Sequence, residues 1–413
     1  MMQPSRINSP PPLTLTVLPA ATWMSEISAS DWPMLKVVSP LMSHEPKLLK
    51  MVKVPEITLP WPRSSSPPLT VALAADRRAL LAAYQYLIMG TIGATFVVIG
   101  VGLLYLMTGT LNLADMAERL VPLRGTRPVL AALAFLTVGL SIKAAVFPLH
   151  QWLPNAYAYA PSAVTAFVAG TATKVALYVL MRYYFTVFGE TQVLARLPMQ
   201  QMLLVLALAG MFGASTVAIF QTDLKRLFAY SSVAQVGYII LGLSFGSATG
   251  LAAGIVHLFN HAVTKGAIFM LLGAVTAALG GAGLARIQGL GRTMPWASLG
   301  IVICGLSLIG VPGTAGFISK WVLVQAALER RQWWLVFMIV GSSLLAIVYV
   351  WRFVEAAYFG AAPADAPPPA RLRWQLVAPS AVLVAATVYF GIDTSFTLDA
   401  ATAAANQLLG TAR

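Results

Sequence analysis

Charge is what this sequence has least of. The 413 residues include 14 Asp and Glu and 27 Lys and Arg, so charged residues make up only 10% of the chain. Soluble domains carry about 25%, and so little polar surface excludes an ordinary soluble globule. Cysteine is nearly absent too. Cys304 is alone, which rules out an intrachain disulfide and any cysteine-based metal or cluster site. It reads as an apolar helix residue. No Walker-type phosphate loop and no haem-attachment motif occurs, which argues against ATP drive and against a bound haem. The net charge of +13 does not point to nucleic acid, because the basic residues are scattered rather than gathered into a stripe.

Uncharged length is what the chain has in excess. Residues 83–107, 197–222, 227–256, 296–319, 332–351 and 374–392 contain no Asp, Glu, Lys or Arg. Each is close to or above the ~20 residues that cross a bilayer as a helix. A spanning chain must satisfy its backbone internally, so an all-α polytopic membrane protein is expected. The spans fall at 83–107, 128–147, 162–185, 199–220, 227–246, 250–278, 297–328, 332–358 and 375–392, about nine in all. Residues 1–74 hold 13 of the 26 prolines and no long uncharged run, so they read as an irregular or disordered segment without a clear signal peptide. The membrane domain covers 75–395, and 396–413 form a short tail suited to an interfacial helix. Basic residues in the connections set a weak orientation. Arg77, Arg78, Lys225, Arg226, Arg286, Arg292, Arg352, Arg371 and Arg373 fall on one side, and Arg119, Arg124, Arg127, Arg182, Arg196, Arg330 and Arg331 on the other. Lys225, read as a loop residue, is expected to tolerate alanine.

Against this apolar background, a few ionisable side chains stand out. Lys143 lies in "GLSIKAAVFPLHQWLP", after fifteen uncharged residues and before Pro148. Pro148 removes a helical hydrogen bond near Ala144, so freed carbonyls and an ammonium should meet there. Interrupted helices with ionisable groups at mid-membrane mark ion sites in transporters; the alternative is a lysine that snorkels to the nearer interface. Lys174 is twelve residues into the next span, where snorkelling is hardest and a charge costs at least ~2.5 kcal/mol. "IVHLFNHAVTKGAIFM" spaces His257, His261 and Lys265 at i, i+4 and i+8, one stripe of proton-exchanging groups on a helix. A zinc site is a poor reading of that stripe, because no carboxylate or cysteine joins the histidines and Lys265 would repel the ion. "LSLIGVPGTAGFISKW" repeats the arrangement around Lys143: apolar helix, breakers at Pro312, Gly313 and Gly316, then Lys320. Two such segments suggest an internal inverted repeat with paired sites. Carboxylates are few among them. From 83 to 392 the acids are Asp115, Glu118, Glu190, Asp223, Glu329, Glu355 and Asp365, and only Glu355 falls well inside an expected helix.

These segments resemble the antiporter-like membrane subunits of Mrp-type Na+/H+ antiporters and of respiratory complex I, over roughly residues 71–392. "SIKAAVFPLHQWLPNAYAYAPSAV", "TATKVALY", "FQTDLKRLFAYSSVAQVGY", "HLFNHAVTKGAIFM" and "GVPGTAGFISKW" carry the likeness. "YQYLIMGTIGATFVVIGVGLLYLMTGTLN" most resembles the D-type member of the Mrp antiporter. The resemblance implies a partial inverted-repeat antiporter-like fold with two broken helices. It assigns Lys143 to the first half-channel, Lys174 to the link, His257, His261 and Lys265 to a central relay, and Lys320 to the second half-channel. It implies no cofactor and no metal. It also implies hydrophobic partner subunits, protons and Na+ as cargo, and a multi-pass place in a bacterial inner membrane. The family has about fourteen helices and a glutamate on the helix before "YQYLIMG". Here that region reads "ITLPWPRSSSPPLTVALAADRRALLAAYQYL", so the resemblance implies a chain lacking the first four or five helices and that glutamate. Three functions remain open: a proton-translocating antiporter subunit, a membrane-arm subunit of an NADH:quinone oxidoreductase or hydrogenase, and a non-transporting paralogue. In none of them is the chain an enzyme on its own.

Overall fold

The computed structural model describes residues 77–123, 125–189, 198–361 and 374–410. The Pro-rich segment 1–74 and most of the connection at 360–373 lie outside the described residues. Among the described residues the regular structure is helical, with one isolated bridge between Asp223 and Gly283 and no strand. The helices are α1 (Arg77–Thr108), α2 (Leu113–Leu120), α3 (Arg127–Ala144), α4 (Trp152–Tyr159), α5 (Ser162–Met181), α6 (Met199–Ile219) and α7 (Leu224–Ser244). They continue with α8 (Ala248–Leu279), α9 (Pro295–Ile309), α10 (Ala315–Glu329), α11 (Trp333–Val354), α12 (Trp374–Ile392) and α13 (Ser395–Leu409).

Local chemistry sets many of the ends. Asn112 Oδ1 accepts from the backbone N–H groups of Ala114 and Asp115 and opens α2. Asp223 does the same for α7 through Arg226 N, and Ser247 for α8 through Gly250 N. Pro295 stands at the first turn of α9, where its missing N–H costs nothing. Gly280, at φ 71°, stops α8.

Seven helices are long and apolar enough to cross a membrane: α1, α3, α5 with its extension to Val187, α6, α7, α8, and α11 with its extension to Phe359. α12 and α13 together make an eighth candidate, bent by 75°. The chain is therefore an all-α polytopic membrane protein. The expected span at 297–328 is two helices of 15 residues, α9 and α10, each short of a full crossing. The reason is the break: Gly310 (φ 90°) and Gly313 (φ 85°) turn the backbone out of the helical region between them. The break expected around Pro148 is also present. α3 ends at Ala144, Ala145 is left-handed at φ 55°, and the chain resumes as α4 at Trp152.

α7 and α8 form the middle of the bundle. Nearly every side chain of α7 is buried, and α8 packs against α5, α7, α9, α10, α12 and α13. The outer helices keep apolar side chains exposed, such as Leu81 and Leu106 on α1 and Trp333 and Phe337 on α11. That is the surface expected where lipid rather than water is the solvent. One expectation is corrected here. Lys225 is not a loop residue: it sits in the first turn of α7, buried, and donates to Ala160 O at 3.4 Å. The apolar period does not reveal the helix start, because the Asp223 cap lies before two basic residues that mimic a loop.

Candidate functional site

α8 carries the expected stripe, and all of it is buried: His257, His261 and Lys265 are 2%, 3% and 0% exposed. The helical period puts them on one face, and the fold then surrounds that face with polar groups from neighbouring helices. His257 is held at both nitrogens, Nδ1 lying 2.7 Å from Ser319 Oγ on α10 and Nε2 2.9 Å from Gln235 Oε1 on α7. The His261 ring is nearly parallel to it, with centroids 6.3 Å apart, and neither of its nitrogens has a partner among the described residues. Lys265 donates to Phe228 O at 2.8 Å and to Ser231 Oγ, both on α7, and lies 5.4 Å from the Phe228 ring centroid.

Lys174 approaches the stripe from α5, close enough to act electrostatically on His257, His261 and Lys265. Its ammonium donates to Ala169 O at 2.5 Å and to Thr173 Oγ1 at 3.3 Å. A cavity of ≈ 400 Å³ reaches it between α5, α8 and α13, lined also by Tyr178, Arg182 and Gln407. Lys320, on α10, donates to Leu308 O at 2.8 Å, Ile309 O at 2.9 Å and Ser343 Oγ at 2.9 Å, with the Tyr238 ring centroid at 4.5 Å. The two carbonyls are those left without helical partners where α9 stops. Freed carbonyls and an ammonium thus meet at the second break.

At the first break they do not. Ile142 O accepts from Trp152 Nε1 at 2.8 Å, and Ser141 O from Val146 N at 3.0 Å. Lys143 is half-buried at the end of α3 and makes no hydrogen bond or ion pair to any described residue. The fold therefore gathers Lys174, His257, His261, Lys265 and Lys320 into one polar core, and leaves Lys143 apart from it.

No carboxylate among the described residues takes part. The one ion pair there is Arg119–Asp115, far along the chain at α2. Nor do three described His, Cys, Asp or Glu side chains converge as metal ligands. The partners that sequence reasoning missed are uncharged: Ser231, Gln235, Tyr238, Ser307, Ser319 and Ser343. One signal was available. Ser231 and Gln235 are spaced i, i+4 within the apolar run of α7, the pattern that exposed the histidines.

The comparisons with known proteins agree with this architecture. The model of the family described as "NADH:quinone oxidoreductase/Mrp antiporter, TM" matches residues 64–346, more than half of the chain. NADH-quinone oxidoreductase subunit N of Desulforudis audaxviator is 44% identical over 314 residues, 75% of this chain and 62% of that protein. The D-type member of the Na(+)/H(+) antiporter of Alkalihalophilus pseudofirmus is 30% identical over 292 residues, 70% of this chain and 58% of that protein. Among solved structures, the Mrp complex from Dietzia sp. contains a similar chain, with TM-score 0.74 and 27% identity, covering 81% of this chain and 69% of that one. This chain thus spans about three fifths of the length of those two curated relatives. Matched by that model over more than half of its length, the chain belongs to the NADH:quinone oxidoreductase/Mrp antiporter transmembrane family.

Proposed function

We propose that this chain moves protons along its buried lysine and histidine core, as one membrane subunit of a larger assembly in a bacterial inner membrane. One observation carries the reading: Lys174, Lys265 and Lys320 are each held by neutral carbonyl and hydroxyl oxygens and not by a carboxylate. A lysine in a buried ion pair cannot give up its proton without stranding a buried anion, a cost of several kcal/mol. A lysine held by dipoles leaves nothing charged behind. Its amine then accepts from the hydroxyl that had accepted from it, because serine offers both a donor and lone pairs. His261, with neither ring nitrogen engaged by a described residue, can take a proton from either neighbour along the stripe. Lys143 is the proposed outer station, where the proton enters or leaves the core.

The coupled process is a choice between two assemblies. The 44% identity to an NADH-quinone oxidoreductase subunit N supports membership in a redox-driven complex. The likeness to the D-type member of a Na(+)/H(+) antiporter and to a chain of the Mrp complex supports exchange of protons for Na+. Affinity purification of the chain with its native partners distinguishes them. Iron–sulfur and quinone-site subunits support the first, and hydrophobic antiporter subunits alone support the second. Proton flux in everted vesicles tests the core itself. Full flux from a Lys265→Met variant would refute the relay.

A further inference from the structure

Ser319 occupies a position that the relay alone does not explain. Its Oγ lies 2.7 Å from His257 Nδ1 and 3.1 Å from Gly316 O, yet a serine hydroxyl owns one hydrogen. Gly316 O can only accept. When the hydroxyl points at Gly316 O, Nδ1 must carry a proton and donate to Ser319 Oγ. Gln235 Oε1, 2.9 Å from Nε2, accepts from the other ring N–H, so the ring is then an imidazolium. When the hydroxyl points at Nδ1, that nitrogen is a bare acceptor and the ring is neutral with its hydrogen on Nε2.

We propose that Ser319 is a positioning residue for His257: its hydroxyl turns between Gly316 O and Nδ1 as the ring gains and loses a proton, while Gln235 Oε1, which can only accept, keeps a hydrogen on Nε2 throughout. Protonation forms one N–H bond at Nδ1 as an ammonium of the core gives up one of its own and becomes a neutral amine, ends the hydrogen bond from Ser319, and turns the hydroxyl to Gly316. Loss of the proton reverses this, the proton leaving Nδ1 for the next acceptor in the core. The titratable groups that face His257 are His261 on α8, Lys174 on α5, Lys320 on α10 and Tyr238 on α7. The turn also reaches the broken helix. Gly316 lies in the first turn of α10, and its N–H donates to Ser307 Oγ on α9 at 3.0 Å. Ser307 Oγ in turn lies 3.4 Å from Thr264 Oγ1, one residue before Lys265. The charge on His257 is therefore read at the α9–α10 junction, where the carbonyls that hold Lys320 end.

The transport role rests on the relay proposed above, but the tautomer does not, so the two fail separately. The experiment is ring-nitrogen magnetic resonance on the ¹⁵N-histidine-labelled full chain in lipid nanodiscs across a pH series. The chain has four histidines, and a His257→Gln variant identifies the wanted signals. The wild-type neutral ring should carry its hydrogen on Nε2. Ser319→Ala should leave the neutral ring protonated at Nε2 but shift its titration midpoint, Ser319→Thr, which keeps a hydroxyl, should restore the midpoint, and Gln235→Leu should release population to the Nδ1–H form. A wild-type neutral ring protonated at Nδ1 would overturn the proposal without any variant, and so would an unchanged titration midpoint in Ser319→Ala. In vesicles with partner subunits, Ser319→Ala should lower proton flux about tenfold, the loss of one hydrogen bond to a charged group. Unchanged flux beside a changed titration midpoint would overturn the role in transport.

Discussion

At the scale of single residues, the buried lysines differ in what their removal exposes. Lys320 is the only described donor to the Leu308 and Ile309 carbonyls other than their own helix. Lys320→Ala should therefore cost about 1–3 kcal/mol, the penalty for unsatisfied buried acceptors, and abolish flux. Lys320→Arg keeps a donor and a charge but will not release a proton at usable pH, so flux should be lost with far less destabilisation. A thermal melt beside a vesicle flux assay separates these effects. Equal destabilisation of both variants would show that the site is structural. Lys143 should behave in the opposite way. It is half-buried and unbonded to any described residue, so Lys143→Ala should change stability by no more than about 0.5 kcal/mol. Proton flux should nevertheless collapse, and retained flux would remove Lys143 from the path. Lys225→Ala, harmless if the residue lay in a loop, should instead cost about 0.5–1.5 kcal/mol through the lost bond to Ala160 O, with flux per folded molecule preserved.

At the scale of elements, the α9–α10 junction has no spare room. A Cβ at Gly316 would run into the Ser307 backbone carbonyl, so α10 can approach α9 only with glycine there. Gly316→Ala should force the two half-helices apart at a cost of about 1–3 kcal/mol. It should also displace Ser319 from His257, which the ring-nitrogen measurement would register. Elsewhere, α2 turns the chain between α1 and α3 with a small electrostatic clasp. Arg119 Nε donates to Asp115 Oδ1 at 2.7 Å, while its Nη1 donates to Thr108 O at the end of α1. The Arg119 hydrogen bond holds the exposed Asp115 carboxyl below the usual carboxylate range. A folded value below the unfolded one means that the clasp stabilises the corner above the unfolded value and is lost as pH falls through the folded one. A carboxyl titration followed by magnetic resonance should show Asp115 returning to the ordinary range in Arg119→Ala. No change would mean that the clasp does not form.

At the scale of the whole molecule, contacts between connections fix which ends share a membrane face. The Asp223–Gly283 bridge, the bond from Gly289 N to Ala356 O and the bonds from Arg352 to Ile219 O and Gln221 O join the 220–223, 280–294 and 352–360 regions. Arg330 to Gly246 O and Thr249 to Glu329 join the 245–249 and 329–332 regions at the other end. The first grouping holds Arg286, Arg292 and Arg352 of one basic set, and the second holds Arg330 and Arg331 of the other. Cys304 is buried, so replacing it by alanine gives a background for introduced thiols. Gln288→Cys and Leu111→Cys should label with an impermeant maleimide from opposite sides of sealed vesicles. Labelling from the same side would refute the order of spans.

The sequence by itself determined that the chain lives in a membrane, because uncharged runs of spanning length have no other economical solvent. It also determined that the helices break near Pro148 and at Pro312–Gly313, through local backbone geometry, although Gly316, expected to break the second helix, lies inside α10 and the turn begins at Gly310; and it placed His257, His261 and Lys265 on one face by period alone. The tertiary structure decided what each charge touches. Lys265 is bonded to Phe228 and His257 to Ser319, residues 37 and 62 positions away, and no local period encodes which helices will adjoin. The same reason separates the two broken helices. By pattern Lys143 and Lys320 are alike, but beside Lys143 the Ser141 and Ile142 carbonyls are taken by Val146 and Trp152, whereas those at the end of α9 point at the ammonium that α10 brings back to them.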